Sequence, residues 1–105
     1  MANYLLAYHG GKMESNPEAA AKVMAAWGTW MAGLGTVLID GGNPVGKAST
    51  IDSHGKATAG GGANPVSGYS LIKADSLEAA VKLAQGCPVL QGGATIEVCE
   101  TFNAM

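Results

Sequence analysis

Along this chain the apolar residues switch between the alternating spacing of a strand and the three-and-four spacing of a helix, and they do so in the same order twice. Asn3 to His9, centred on Tyr4-Leu5-Leu6-Ala7-Tyr8, reads as a strand that the Gly10-Gly11 pair ends. Ser15-Asn16-Pro17-Glu18 then opens a helix, in which Asn16 can cap free N–H groups and Pro17 presets φ at the first helical position. Val23, Trp27, Trp30 and Leu34 recur at steps of four, three and four beside Ala20, Met24 and Met31, so one broad face is apolar. The helix ends near Gly33 and Gly35, and Val37-Leu38-Ile39 follows as a second strand, stopped by Asp40-Gly41-Gly42-Asn43-Pro44.

The second passage runs the same way. Gly68 to Ala74 alternates Tyr69, Leu71 and Lys73 against Ser70, Ile72 and Ala74, which suits a covered, central strand. Asp75 and Ser76 cap a second helix with Glu78 in capping-box position, and Leu77, Ala80, Val81 and Ala84 are its buried stripe. Gly86 and Pro88 end it, and Ala94 to Phe102 is the last strand, with Ile96 and Val98 facing one way and Thr95, Glu97 and Cys99 the other. Between the two passages, Ala48–Ile51 and Lys56–Thr58 flank Asp52-Ser53-His54-Gly55, the chemistry of a small exposed hairpin. The echo of Asn43-Pro44 in Asn64-Pro65 reads as two similar turns placed ahead of strands.

This order predicts an α+β fold: a single ferredoxin-like βαββαβ domain over residues 1–105, with the small hairpin inserted in the middle connection. Right-handed crossovers place both helices on one sheet face. The other face has no cover within the chain and is apolar enough that a second copy is expected against it, as a homodimer. An apolar fraction of 48% excludes disorder, and the longest apolar runs fall well short of a membrane helix. With a net charge of -2 and scattered lysines, nucleic acid is not an expected partner. The chain opens on strand-like residues and lacks the pattern of a signal peptide, so a cytoplasmic protein is expected. Cys87 and Cys99 lack zinc-site spacing and read as buried thiols.

Few residues invite a chemical role. Gly41-Gly42-Asn43-Pro44-Val45-Gly46-Lys47-Ala48 comes within one residue of a phosphate-binding loop, yet Ala48 has no hydroxyl for magnesium and strand-forming Ser49-Thr50-Ile51 follows it. No nucleotide, metal or other cofactor is therefore expected. His9, at the end of the first strand beside a Gly-Gly turn, is the candidate for proton transfer, against a plain solvent-facing histidine. Asp40 interrupts an aliphatic strand and is the candidate for orientation or charge stabilisation, against simple turn initiation. The end of strand one is expected near the start of strand two, which would set Asp40, late in strand two, apart from His9. Trp27, Trp30 and Tyr69 are candidate ligand-binding residues, against membership of the core; His54 reads as exposed.

Taken in order, Tyr4-Leu5-Leu6-Ala7-Tyr8, Met24 to Met31, Asp40 to Pro44, Ser67-Gly68-Tyr69-Ser70, Ala74 to Ala80 and Gly86-Cys87-Pro88 make the chain resemble the YCII-related family, in its branch close to the DGPF-type proteins. The resemblance covers nearly the whole chain and implies a ferredoxin-like subunit assembled as a dimeric α/β barrel. It implies less about activity, because the enzyme-like relatives depend on a histidine–aspartate pair. Here the corresponding first-helix position is Met24, and Gly86-Cys87 stands where those relatives have an acid. The DGPF tetrapeptide is replaced by the Gly60 to Pro65 stretch, so no catalytic residue carries over. What remains is a small organic molecule bound or transformed in a cleft between helix one and the sheet, or a non-catalytic binding or accessory module.

Overall fold

A computed structural model describes residues 1–11 and 16–103, so Ser15 lies outside the described residues. It shows an α+β domain whose elements are β1 (Ala2–His9), α1 (Pro17–Leu34), β2 (Leu38–Asp40), β3 (Ser49–Ile51), β4 (Ala57–Ala59), β5 (Val66–Ala74), α2 (Leu77–Ala84) and β6 (Thr95–Glu100). The main sheet is antiparallel in the order β2-β5-β1-β6, and β3 pairs with β4 as a separate hairpin. This arrangement is compatible with a ferredoxin-like fold. Among the described residues, no helix is long and apolar enough to cross a membrane.

Strand alternation decides what each sheet face carries. Tyr4, Leu6 and Tyr8 of β1 and Ser70, Ile72 and Ala74 of β5 are buried on one face, under Leu34 of α1 and Ala80 and Ala84 of α2. Leu5, Ala7, Tyr69 and Leu71 point the other way and are half-buried within the single chain. At only 18 Å in its thinnest dimension, the molecule holds one sheet layer and one helix layer. Among the described residues nothing covers the second sheet face.

The ends of the helices follow their local chemistry. The Asn16 side chain accepts from the N–H groups of Glu18 and Ala19 at 2.8 and 3.3 Å, ahead of Pro17. For α2 the cap is Ser76 alone, whose Oγ accepts from Ala79 N at 3.1 Å, so Glu78 is one residue too early to close a capping box. The buried stripe of α2 is also turned from the expected one: Ala80 and Ala84 are buried and Ala79 and Leu83 pack beside them, while Leu77 is 49% exposed. The last strand stops at Glu100, two residues short of expectation. Thr101 still donates to Asn3 O, through both its N–H and its hydroxyl, but Phe102 is exposed.

The middle connection divides into a docked part and a free part. Gly41 to Val45 runs back over β5, held by the Pro44–Gly68 bridge and by Val45 N donating to Ser67 O at 3.0 Å. Gly42 makes this approach feasible: its φ is +73° and a Cβ there would fall 1.7 Å from the Tyr69 carbonyl oxygen. Beyond it, the β3–β4 hairpin is exposed along its whole length and turns on Asp52, whose Oδ1 accepts from His54 N and Lys56 N at 2.9 Å each. Gly42→Ala is expected to destabilise the fold by roughly 2 kcal/mol or more in chemical denaturation, combining backbone strain with a backbone clash. Gly46→Ala, where a Cβ meets nothing within 4 Å, should fall within about 0.5 kcal/mol of the parent.

Candidate functional site

A cleft of about 1080 Å³ is bounded by α1, the end of β1, the Gly41–Gly46 segment, the start of β5 and the turn that follows α2. It exists because α1 does not settle onto the sheet along its length. Of the helix, only Leu34 is buried; Trp27 and Trp30 are half-buried, while Val23 is 43% and Met24 73% exposed. The broad apolar face expected of α1 is present, but much of it borders the cleft rather than a packed core. Ala20, Val23, Met24, Trp27, Gly28 and Met31, at alternating steps of three and one, form the helical wall.

Aromatic contacts hold α1 in this pose. The Tyr8 and Trp27 rings meet edge to face with centroids 5.7 Å apart, and Trp27 meets Trp30 the same way at 5.7 Å. Such pairs contribute about 0.5–1.5 kcal/mol each beyond their buried area. Trp30 completes the line to α2, its indole N–H donating to Leu83 O at 3.0 Å. Trp30 therefore ties two helices together and is absent from the cleft wall, whereas Trp27 and Tyr8 belong to that wall and Tyr69 borders it from β5, its side chain alternating to the open sheet face.

At the floor, the Tyr8 hydroxyl donates to Ser70 Oγ at 2.7 Å and Ser70 donates to Gly41 O at 2.8 Å. Burial pushes the Tyr8 phenol far above the ordinary tyrosine range, and a nearby Cys87 adds to the effect. Burial also pushes up the Cys87 thiol, which leaves it a small neutral core group. Cys99, expected to be buried as well, is half-buried on β6, and both thiols are free.

His9 and Asp40 are not brought together, and neither lines the cleft. His9 points to the open sheet face, where Nδ1 lies 3.0 Å from Asn64 O and Nε2 3.0 Å from Glu97 Oε1. Both partners are acceptors, so the ring can donate to both only as the imidazolium. Asp40 is exposed and its Oδ1 accepts from Gly42 N at 2.8 Å, the geometry of turn initiation. Asp40 pairs with Leu71, which is level with Leu5 on β1, so His9 is four residues further on and two strands across. That spacing amounts to roughly 14 Å along the sheet and about 10 Å across it. The start of β2 is level with Tyr4, near the start of β1 rather than its end, because β2 runs in the same direction as β1.

Sequence reasoning passed over Tyr8 and Gly28, which line the cleft, and Ser70, which lies beneath it and holds the Tyr8 hydroxyl. Tyr8 and Ser70 were legible only as strand positions, and their pairing needs the register that sets Tyr8 beside Gly68. Among the described residues, no group of three His, Cys, Asp or Glu side chains is placed to hold a metal ion. The chain matches no protein-family model and no curated protein.

Ser70→Ala is expected to cost about 2 kcal/mol, because it leaves both the Tyr8 hydroxyl and the Gly41 carbonyl without their partner. Tyr8→Phe should cost about 1 kcal/mol, since Ser70 can still donate to Gly41. The double variant should then lose clearly less than the sum, a coupling readable from urea unfolding of the four proteins.

Proposed function

We propose that this chain is a ferredoxin-like subunit of the YCII-related kind, that two copies pair through their open sheet faces as a dimeric α/β barrel, and that each binds a small organic molecule in the cleft beside α1. The observation that carries the binding reading is the unfilled apolar stripe of α1. A helix face rich in Val, Met and Trp normally closes on a core, and here it borders a cleft of the size that small-molecule sites occupy.

Binding is favoured over transformation by the composition of the wall. Among the described lining residues there is no charged side chain, histidine or cysteine to activate the Ser67 or Tyr69 hydroxyl, and the Tyr8 hydroxyl already donates to Ser70. A site for chemistry needs a group free to exchange protons or attack. The reading is thus a binding or accessory module, with His9 and Asp40 in structural roles. Two free thiols suit a reducing, cytoplasmic setting.

The pairing reading is supported by the patch that Leu5, Ala7, Tyr69 and Leu71 form on the uncovered sheet face. The 10.5 kDa chain should elute at twice its mass in a sizing experiment with light scattering, and Leu71→Asp should return it to one. A parent protein that stays monomeric at high micromolar concentration contradicts the pairing.

For the cleft, a thermal-shift screen of small uncharged organic compounds should yield ligands that raise the melting temperature. The same ligands should perturb tryptophan emission in Trp30→Phe and leave it unchanged in Trp27→Phe, since only Trp27 borders the cleft. Hits that act equally on both variants would place binding elsewhere.

A further inference from the structure

Gly28 stands in the interior of α1, in the middle of the stripe that forms the cleft wall. Glycine there weakens a helix relative to alanine by about fivefold in the folding equilibrium. Two reasons for glycine inside a helix are a backbone twist and a close neighbour. Neither applies among the described residues: the φ of Gly28 lies outside the left-handed region, and a Cβ built on it meets none of them within 4 Å. The missing side chain leaves a gap in the wall, flanked by Trp27, Met24 and Met31.

Elsewhere the cleft is walled by backbone as much as by side chains. Gly41, Gly42 and Gly68 line it, and at Gly68 a Cβ would crowd Tyr8 at 3.2 Å. Bare glycine backbone on α1, on the Gly41–Gly42 turn and on β5, with an indole and two thioethers among the same lining residues, offers flat apolar surface against which an aromatic ring can lie. Charge has the same implication, since the described lining residues offer no cation or anion to pair with an ionised group, and a desolvated charge without a partner is strongly disfavoured.

We propose that the cleft selects a neutral, flat, predominantly aromatic molecule, and that Gly28 is its specificity-determining position, left without a side chain so that a ring can lie against the α1 backbone. This rests on the cleft-binding reading above and goes further by naming the ligand class and the residue that gates it.

The test uses two fluorescent probes with the same ring systems, neutral phenylnaphthylamine and anionic anilinonaphthalene sulfonate, titrated into the full chain. The parent should bind the neutral probe at least about tenfold more tightly than the sulfonate. Gly28→Leu, which fills the gap, should weaken the neutral probe by about tenfold or more. Gly28→Ala should raise the melting temperature by about 4 °C while weakening the probe, a combination that a merely structural glycine does not produce.

Gly33→Ala is the control. It too is a helical glycine of α1 with nothing within 4 Å of its Cβ, but it is absent from the cleft wall, so it should stabilise without changing probe affinity. Unchanged probe affinity in Gly28→Leu, or equal affinity of the parent for the two probes, overturns the proposal while leaving cleft binding intact. Failure of the parent to bind either probe or any screened compound overturns the cleft reading and this one with it.

Discussion

The hydrogen-bond relay from Tyr8 through Ser70 to the Gly41 carbonyl joins three parts of the sheet that sequence separates widely: β1, β5 and the end of β2. Both Tyr8 and Ser70 are nearly inaccessible to water, so each polar atom in the relay depends on the next. The docked connection follows from it. With Gly41 held by Ser70, Gly42 passes against Tyr69, and Met31 reaches close to Gly41 at the end of the cleft. The ring of Tyr8 then offers its contact to Trp27, and through it positions α1. One buried phenol thus sets the floor, an edge and the helical wall of the cleft.

The helical wall shows why an amphipathic pattern does not by itself decide burial. Val23, Trp27, Trp30 and Leu34 lie on one broad helical face, yet they meet four environments: solvent and cleft, an aromatic edge contact, a bridge to α2, and the core. Helical period fixes which residues share a face. How far the helix sits from the sheet is fixed by tertiary contacts near its C-terminal half, where Leu34 and Trp30 pack.

The strand and helix order, the inserted hairpin and the open sheet face were all legible from apolar spacing and turn residues, because those signals are local or follow from crossover handedness. The Asn16 cap was legible for the same reason. The expected capping box is absent because Asp75 and Ser76 are both good caps and the helix starts on the second, one residue later than the box requires. The site was far less legible. His9 and Asp40 drew attention because they are chemically versatile, whereas the cleft is built from residue types that sequence reading assigns to cores and turns. Its most informative member, Gly28, is conspicuous only once the space beside it is known to be empty.

The sheet order also has a consequence for how the chain acquires its structure. Among the described residues, β1 lies between β5 and β6 and β2 pairs only with β5, so no strand of the main sheet has a partner before residue 66. As the chain leaves the ribosome, the apolar segment Tyr4 to Tyr8 waits unpaired until the second half has emerged, at about 5–20 residues per second. The sheet therefore forms late and through distant contacts, a topology that slows folding and exposes a sticky strand to neighbours in the interval. Of the main-sheet strands, β1 has the longest stretch of chain between itself and its first partner.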